Sequence, residues 1–383
     1  MSFRLFPSSL FRPRSAVTTP FQWIDHQTDL DALVKRLKPL KEVPLDTEAD
    51  NMYHYHNRIC LYQLQIGKDS YIIDALADLD LKSFVQALGT KVLIMHGSDF
   101  DLRLMADHYQ FRPAGLFDTM LAAQLLGHSK TGLGSLIEHY FDVELPKGHQ
   151  KSDWSKRPLP EKMLLYAAED VVYLQELRKK MAKELKKKGR MDWLDQRCAW
   201  QIDAALDGFT QRDEHAWRVS GSHKLGPRGL AVLFELWHWR ERSAEKADLP
   251  PFKILNNPYL VAIAASVEQS GGSSWQDTLP PRVFTRHRKA LEKAVKRGED
   301  RDPATLPRRK SARGDRQPLS NEEIQRQEEM RVFRDARAEE LGIDPSLIAN
   351  RSQLTILARD REKLDEILLP WQADLLRSAV AEN

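Results

Sequence analysis

Residues 43–74 contain three segments that decide the fold: 43–48 read Val-Pro-Leu-Asp-Thr-Glu, 59–66 read Ile-Cys-Leu-Tyr-Gln-Leu-Gln-Ile, and 71–74 read Tyr-Ile-Ile-Asp. β-Branched, aromatic and other apolar residues dominate the last two segments, which is typical of strands. The turn-forming residues 67–70, Gly-Lys-Asp-Ser, separate these two segments. They are therefore predicted to pair as antiparallel strands.

Helical and extended patterns alternate after this pair. Residues 81–88 and 100–109 have the apolar spacing of helices, and residues 92–95 form a short apolar run typical of a buried strand. A further helix is predicted over 118–126, with Asp118 as its capping residue. Strands mixed with helices over 20–205 predict one three-layer α/β domain around a mixed sheet.

Beyond residue 210 the pattern predicts helices and no strands. Helical spacing covers residues 230–246, 257–267 and 286–296, and it resumes at 320. The polar, proline-containing stretch between the helix over 286–296 and the helix that begins at 320 is predicted to be a linker. The predicted organisation is a disordered tail over 1–19, an α/β domain over 20–205, a helical domain over 211–298, a basic linker over 299–318 and a second helical domain over 319–383.

Composition excludes several classes of protein. The 383 residues are 42% hydrophobic and 30% charged, as in globular domains. Apolar runs stay well short of the roughly 18–20 residues of a membrane-spanning helix, so no membrane association is expected. The two cysteines, Cys60 and Cys198, form neither a disulfide framework nor a zinc motif, which favours a reducing compartment. A Walker A motif is missing, which argues against an ATP-driven motor.

The first 24 residues contain three arginines and no acid. A mitochondrial transit peptide has a similar composition. Pro7, Pro13 and Pro20 work against the amphipathic helix that such a peptide needs. A cytoplasmic protein with a disordered tail is the favoured interpretation, and a mitochondrial location is the alternative.

Asp46 and Glu48 are the first candidate site residues. Residues i and i+2 of a strand point to the same face, which brings the two carboxylates together. Adjacent buried carboxylates repel each other unless a cation lies between them, and oxygen ligands suit Mg²⁺ or Mn²⁺. The alternative is an exposed acidic pair on an edge strand.

Asp101 and the pair Tyr166 and Asp170 are further candidates. Asp101 follows the predicted strand 92–95 and would lie in the first turn of a helix, where Asp99 is better placed to be the cap. Tyr166 and Asp170 are four residues apart and share a helix face, so the hydroxyl could orient a water. An ordinary amphipathic helix is the alternative. His96 is interpreted as a core histidine rather than a ligand.

Taken together, these are four acids and a tyrosine on separate elements that one mixed sheet could bring together. Such a cluster suits a two-metal mechanism, in which one ion activates water and the other stabilises the leaving oxygen about 3.5–4 Å away. The predicted catalytic residues are Asp46, Glu48, Asp101, Tyr166 and Asp170, and the predicted ligands of two divalent metal ions (Mg²⁺ or Mn²⁺) are the four acids.

These residues resemble the motifs of the DEDD exonuclease superfamily, in the branch that ends in Tyr-x-x-x-Asp. The similarity to the ribonuclease D family covers roughly residues 20–205: Leu45–Glu48 resembles the first motif, His96–Leu102 the second, and Tyr166–Val171 the third, preceded by the family-like segment Lys147–Leu159. The resemblance implies a ribonuclease-H-like fold and hydrolysis of 3′-terminal nucleotides to 5′-monophosphates. It also implies that Asp46 bridges the two metals.

The C-terminal half resembles HRDC domains, the helical modules shared by RecQ helicases and ribonuclease D. Leu236–Glu241 and Asp248–Ile254 carry the first resemblance, and Leu341–Ile348 with Arg351–Leu354 carry a second. The resemblance therefore implies two all-α HRDC domains after the exonuclease domain. Two such domains favour bacterial ribonuclease D over single-HRDC relatives.

Charge is distributed unevenly along the chain, with one strongly basic stretch. Between Arg282 and Arg316 there are 13 Lys/Arg and five Asp/Glu, a local net charge of +8 in a chain of net charge +3. Such a stretch can contact RNA phosphates, although a solubilising linker is an equal alternative. Single strands also need stacking partners. The candidate RNA-contact residues are Tyr53, His56, Trp154, Arg157, Arg308, Arg309 and Lys310; for Trp154 a core position is the alternative.

The sequence therefore predicts a monomeric 3′-5′ exoribonuclease that acts on single-stranded RNA 3′ ends, such as those of tRNA precursors. A DNA 3′-5′ exonuclease is one alternative, since HRDC domains can also bind DNA. A non-catalytic nucleic-acid-binding scaffold is another, although the presence of all four acids and Tyr166 argues against it. No obligate protein partner is implied.

Overall fold

The computed structural model describes residues 14–15, 20–146, 148–209, 214–270, 274–307 and 318–381. These residues form two compact units. The first unit combines the chain up to Ala49 with Ile59–Phe209 and the C-terminal segment from Pro318. The second unit combines Asp50–Arg58 with the helices between residues 214 and 307.

The first unit is built on a six-stranded mixed sheet, in the order β2-β5-β4-β3-β6-β7. A separate two-stranded sheet pairs β1 with β8. The strands are β1 (Arg14–Ser15), β2 (Phe21–Ile24), β3 (Glu42–Ala49), β4 (Ile59–Ile66), β5 (Asp69–Asp74), β6 (Val92–Met95), β7 (Gly115–Asp118) and β8 (Val143–Glu144).

Helices cover the sheet and make up the rest of both units. Those of the first unit are α1 (Gln27–Leu37), α2 (Lys82–Gly89), α3 (Asp99–Tyr109), α4 (Thr119–Leu126), α5 (Leu133–Phe141), α6 (Glu161–Val172), α7 (Leu174–Lys187) and α8 (Met191–Ala205), followed near the C-terminus by α13 (Asn321–Leu341), α14 (Arg351–Arg359), α15 (Leu364–Ile367) and α16 (Pro370–Ala381). Those of the second unit are α9 (Pro227–Ala247), α10 (Pro251–Ile254), α11 (Asn257–Ser270) and α12 (Pro281–Asp300).

Strand β3 is central, and its two neighbours run in opposite directions. It pairs antiparallel with β4, where Asp46 lies opposite Gln63, and parallel with β6, where Glu42 lies opposite Val92. The register shifts between Glu48 and Ala49, so regular pairing ends just after the second acid. Bulges often lie beside functional sites because they redirect the strand locally.

The predicted α/β fold is confirmed, and several elements match closely. Strands β4 and β6 occupy the residues predicted for them, and the Asp118 carboxylate accepts the first amide hydrogens of α4, as expected of a cap. The prediction did not include β2 and β7. Each has only four residues, which is too short for an alternating pattern to distinguish it from a loop.

The C-terminal helices α13–α16 differ from the predicted separate domain over 319–383. Their buried residues, including Met330 and Leu376, belong to the same hydrophobic core as the sheet. The buried guanidinium of Arg190 donates to the carbonyl oxygens of Leu125 and Leu341, both at 2.6 Å, and so joins the last turns of α4 and α13. These helices are thus an integral part of the first unit.

The second unit is a helical bundle with its own core, as predicted for residues after 210. Helix α9 packs against α11 and α12. The buried Glu235 carboxylate accepts hydrogen bonds from Arg297 and Arg301, at distances of 2.8 and 2.6 Å. Leu306 is buried in this core, so the predicted linker over 299–318 is wrong for its described part, 299–307.

The N-terminus is described only in part. Arg14–Ser15 form β1 and pair parallel with Val143–Glu144. These two residues therefore differ from the disordered tail that was predicted over 1–19. The other residues of that tail lie outside the described ranges. Across the described part of the chain, no helix is both long and apolar enough to cross a membrane.

Candidate active site

A cleft of about 590 Å³ in the first unit contains all five predicted catalytic residues: Asp46, Glu48, Asp101, Tyr166 and Asp170. They come from strand β3, helix α3 and helix α6, which are far apart in sequence. The tertiary fold therefore brings together the residues that the motifs predicted. The rest of the lining comes mainly from His96, Met120, the start of α5 with its capping residue (Gly132–Ser135), Glu138, the segment Glu144–Pro146, Gly148 and Gln150.

Three of the carboxylates form a compact cluster. One carboxylate oxygen each from Asp46, Glu48 and Asp170 lies within 4.8 Å of the others. Asp46 and Glu48 reach the same cleft because residues i and i+2 of β3 share a face. Three converging oxygen ligands suit a hard cation, so this cluster fits the predicted divalent-metal site.

The electrostatics of the cluster explain why it fits cations. Burial, together with the charges of Asp170 and Asp101, raises the pKa of Asp46 well above its usual range. Burial and the neighbouring Asp46 raise the pKa of Glu48 to about 10. Without a positive charge among them, these groups resist ionisation together. Bound cations would stabilise the charged carboxylates and reverse this effect.

Asp101 is held in the cleft by the strand beside it. The Thr47 hydroxyl donates a hydrogen bond to the Asp101 carboxylate. Burial raises the pKa of Asp101 to about 6, while the hydrogen bond from Thr47 lowers it. The expectation that Asp99 caps α3 was wrong: Ser98 is the capping residue and makes no side-chain cap bond, while Asp99 pairs with Arg103 at 3.1 Å.

A buried acid outside the cleft lining fixes the turn that leads to Asp101. The Asp118 carboxylate is fully buried and accepts from the backbone amides of Gly97 and Ser98 at 3.0 and 2.8 Å. Gln201 Nε2 donates to the same carboxylate at 3.1 Å. Gly97 has φ +68°, a conformation that favours glycine. The start of α3, and with it Asp101, is therefore held by this network.

Tyr166 and Asp170 share one face of α6, as predicted. Burial raises the pKa of Asp170 to about 7, and a hydrogen bond from Tyr166 opposes that shift. The buried Tyr166 ring lies edge-on to His149, with centroids 5.8 Å apart, and 6.2 Å from Trp154. Burial and the nearby carboxylates raise the pKa of the Tyr166 phenol, so it stays protonated at neutral pH.

Sequence reasoning missed part of the cleft. His96, interpreted as a core histidine, is half-buried and lines the cleft, and its Nδ1 lies 2.9 Å from Thr119 Oγ1. The start of α5 with its capping residue (Gly132–Ser135) and the residues Glu138 and Glu144 also line it. A Cβ at Gly132 or Gly134 would meet no atom within 4 Å, so no close backbone approach requires these glycines and no local signal pointed to this part of the cleft.

Two of the predicted RNA-contact residues have structural roles. Trp154 is 0% exposed, so its ring cannot stack on a base. The Arg157 guanidinium forms a two-point ion pair with Asp74, and it also donates to the carbonyl oxygens of Trp154 and Cys60. These contacts give Arg157 a structural role, and its contact with RNA phosphates stays a prediction.

The remaining RNA-contact candidates lie outside the first unit or outside the described ranges. Tyr53 and His56 belong to the second unit, where the Lys253 ammonium lies 4.0 Å from the Tyr53 ring centroid. His56 is exposed and contacts the edge of Tyr55. Arg308, Arg309 and Lys310 lie outside the described residues.

The chain is similar to known exonucleases over most of its length. A family model described as 3′-5′ exonuclease matches residues 21–186, and one described as HRDC domain matches residues 229–272. Ribonuclease D of Bartonella henselae is 30% identical over 349 residues, covering 88% of this chain and 82% of that protein. Ribonuclease D of Serratia proteamaculans is 26% identical over 378 residues, covering 94% and 98%.

Solved structures show the same architecture. Escherichia coli RNase D, described as an exoribonuclease involved in structured RNA processing, aligns with a TM-score of 0.72 at 25% identity. The match covers 95% of this chain and 98% of the other. A protein from Bifidobacterium adolescentis has the same fold, with a TM-score of 0.77 at 24% identity over 97% of this chain and 99% of that one.

Proposed function

Because this chain belongs to the ribonuclease D family of 3′-5′ exoribonucleases, we propose that its acidic cleft removes 3′-terminal nucleotides from RNA as 5′-monophosphates. The observation that carries the proposal is the convergence of Asp46, Glu48 and Asp170 within 4.8 Å. Carboxylates with raised pKa values in one cleft are costly for folding, and they are retained where chemistry needs them.

The cofactor that fits these residues is a pair of divalent cations, Mg²⁺ or Mn²⁺. Asp46, Glu48 and Asp170 would hold one ion, and Asp46 together with Asp101 would hold the other. When bound, the two ions supply a water of lowered pKa and neutralise charge on the leaving oxygen. The Thr47 hydroxyl fixes the Asp101 carboxylate on its side of the cleft.

Tyr166 positions the attacking water rather than deprotonating it. Its phenol stays protonated at neutral pH, because burial and the acids raise its pKa. A protonated hydroxyl beside Asp170 can donate to one oxygen and accept from another, which fixes the direction of a water between them. His149 and Trp154 pack against the ring and hold it in place.

The proposed substrate is the single-stranded 3′ end of an RNA, and the proposed class of RNA is tRNA precursors and other stable RNAs. The proposed enzyme is a monomer located in the cytoplasm. The bacterial ribonuclease D relatives support the RNA class and the cytoplasmic location over a mitochondrial one. In the second unit, α12 contributes a basic face that can contact phosphates without reading sequence, through exposed side chains such as Arg282, Arg286 and Lys289.

The C-terminal helices α13–α16 are a second HRDC-like module. The residues that carry this proposal are Leu341–Ile348 and Arg351–Leu354, the segments that resemble the HRDC pattern. The similarity to Escherichia coli RNase D covers 95% of this chain, so most of this region belongs to the fold that the two proteins share. In this chain the module shares a core with the sheet, which assigns it a scaffolding role as well.

One assay tests the central proposal against its alternatives. Matched RNA and DNA oligonucleotides, labelled at the 5′ end, are incubated with the full chain and Mg²⁺. We expect stepwise shortening of the RNA from its 3′ end, and its loss when EDTA is added. Shortening of DNA alone would make the protein a DNA exonuclease. Binding without any shortening, with either Mg²⁺ or Mn²⁺, would leave a non-catalytic scaffold.

A further inference from the structure

Helix α7 has a lysine-rich exposed face that the acidic cleft does not use. Between Arg178 and Arg190 there are eight Lys/Arg and one acid, Glu184, a local net charge of +7. Its buried side, which includes Leu177, Met181 and Leu185, packs into the domain. The lysine face is defined by the six exposed side chains Lys179, Lys180, Lys183, Lys186, Lys187 and Lys188.

Most of these lysines are not neutralised by acids of the same unit. Lys179 pairs with Glu176 at 2.6 Å. Lys180 donates to the Tyr140 carbonyl oxygen at 3.0 Å, which leaves its charge uncompensated. The other four lysines make no ion pair with the described residues. Exposed like charges on adjacent turns repel each other, so the face is suited to a polyanion.

Helix α7, which carries the lysine face, begins beside the catalytic cleft. Leu174, the first residue of α7, lines the cleft, and Asp170 lies four residues earlier on α6. At about 1.5 Å per residue, Lys183 and Lys187 lie roughly 14–20 Å along the helix from Leu174. That distance corresponds to about four to six nucleotides at 3.4 Å each. An RNA that extends this far from its 3′ end in the cleft is long enough to span the distance to these lysines.

The chemistry of the face favours RNA over an acidic protein. Its exposed side chains are lysines and Glu176, and it offers no exposed apolar side chain between residues 174 and 188. Protein interfaces have apolar or aromatic centres and are depleted in lysine. Contacts with a phosphate backbone need only positive charge and exposure.

We propose that the lysine face of α7 is a docking surface for the phosphates of the substrate RNA, several nucleotides upstream of its 3′ end. The proposal rests on the proposed exoribonuclease function. It makes affinity depend on RNA length, since an oligonucleotide that ends within the cleft cannot reach the lysines. Contacts of this kind carry no base specificity and suit an enzyme that shortens varied 3′ tails.

The test is the triple variant K183Q/K186Q/K187Q, assayed beside K35Q/K38Q/K41Q. The control variant removes the same charge from exposed lysines of the same unit. On a 30-nucleotide RNA, we expect the α7 variant to raise KM about tenfold or more with kcat unchanged. The magnitude of the slope of log affinity against log salt concentration should fall by about two to three, because each lysine that is replaced removes one phosphate contact. A trinucleotide should be cleaved by both variants at the wild-type rate.

Two outcomes separate the docking surface from the catalytic proposal. If the wild-type chain cleaves RNA and the α7 variant matches the control in KM and salt slope, the docking proposal is wrong. If the wild-type chain cleaves no RNA, the proposed function fails. In that case RNA binding measured in EDTA still tests the lysine face. Equal RNA affinities of the α7 variant and the control variant would count against the docking proposal. Unchanged melting temperatures establish that both variants are folded.

Discussion

The Trp371 indole of α16 stacks on the Trp193 indole of α8, with ring centroids 4.6 Å apart and planes 15° from parallel. The Trp371 backbone amide also donates to Gln196 Oε1 at 3.1 Å. Trp371 is buried, so the contact lies within the common core of the exonuclease unit. The C-terminal helices are thus bound to the catalytic domain by packing as well as by the chain.

Replacing Trp371 with alanine should destabilise the exonuclease unit. Removing a large buried aromatic side chain costs about 3–5 kcal/mol, because the transfer free energy is lost and a cavity remains. Urea unfolding followed by circular dichroism measures the change. Trp200→Ala is the matched control, since Trp200 lies on the same helix α8 and is 60% exposed. Equal effects of the two substitutions would contradict the shared core.

Gly127→Ala should destabilise the protein more than Gly342→Ala. Both glycines end a helix with positive φ, at +88° and +62°, so alanine costs roughly 1–2 kcal/mol at either position. At Gly127, a Cβ would also overlap the Gly342 carbonyl oxygen, which is backbone and cannot rotate away; at Gly342, space is open. Thermal unfolding compares the two variants, and a larger loss in Gly342→Ala would contradict the close approach of α4 and α13.

Asp170→Asn should abolish RNA cleavage and leave the fold and RNA binding intact. The amide keeps the shape of the side chain but removes one anionic ligand from the cluster with Asp46 and Glu48. Single-turnover cleavage and RNA binding in EDTA separate the two effects. Glu161→Gln, an exposed acid on the same helix, serves as the control and should retain wild-type activity. Wild-type activity in Asp170→Asn would remove Asp170 from the site.

Tyr166→Phe should reduce the cleavage rate by about 10²–10⁴-fold, because proton transfer from the attacking water depends on the orientation that the hydroxyl gives it. The ring packing against His149 and Trp154 is kept, so the melting temperature should not fall. The loss should be in kcat, with KM little changed, because the hydroxyl acts on the water and not on the RNA. A variant with full activity would make Tyr166 a purely structural residue.

Without divalent cations, the protein should lose stability as pH rises from about 4 to about 7. The pKa values of Asp101 and Asp170 are raised to about 6 and about 7 from an ordinary 3.8, mainly by burial. Carboxyls with raised pKa values bind protons on folding, so their stabilising contribution is present at low pH and is lost as pH rises through these values.

Melting temperatures measured over this pH range in EDTA and in Mg²⁺ test the prediction. Mg²⁺ should flatten the dependence, since bound cations stabilise the ionised acids. Asp46→Asn should flatten it in EDTA as well, because the substitution removes a carboxyl whose own pKa is raised well above its usual range by burial. A pH dependence that Mg²⁺ leaves unchanged would argue against a cation among these acids.

Local pattern predicted most of the exonuclease sheet, and the motifs predicted the members of the cleft. Strand β4 and helix α6 were found from the sequence because apolar periodicity and the Tyr-x-x-x-Asp spacing are short-range properties. The role of Thr47 was not predictable in this way. Its hydroxyl meets Asp101 only because β3 lies beside the turn that opens α3, 54 residues later in the chain.

Residues with two possible roles were assigned only by burial and contacts. Trp154 and Arg157 have the side-chain chemistry of RNA contacts, yet one is fully buried and the other is paired with Asp74. Conversely, the lysines of α7 form an ordinary charge run in the sequence. Their proximity to the catalytic cleft follows from the packing of Leu174 at its edge.

The sequence by itself determined the candidate chemistry: four acids and Tyr166, in an order and spacing that resemble the motifs of the DEDD exonucleases and so predict a two-metal site. Those properties depend on residue identity and on neighbours a few positions apart. Only the tertiary structure decided that α13–α16 belong to the catalytic unit and that Asp118 fixes the turn before Asp101. Such contacts depend on complementary shapes and hydrogen bonds between distant segments, which no local pattern of residues contains.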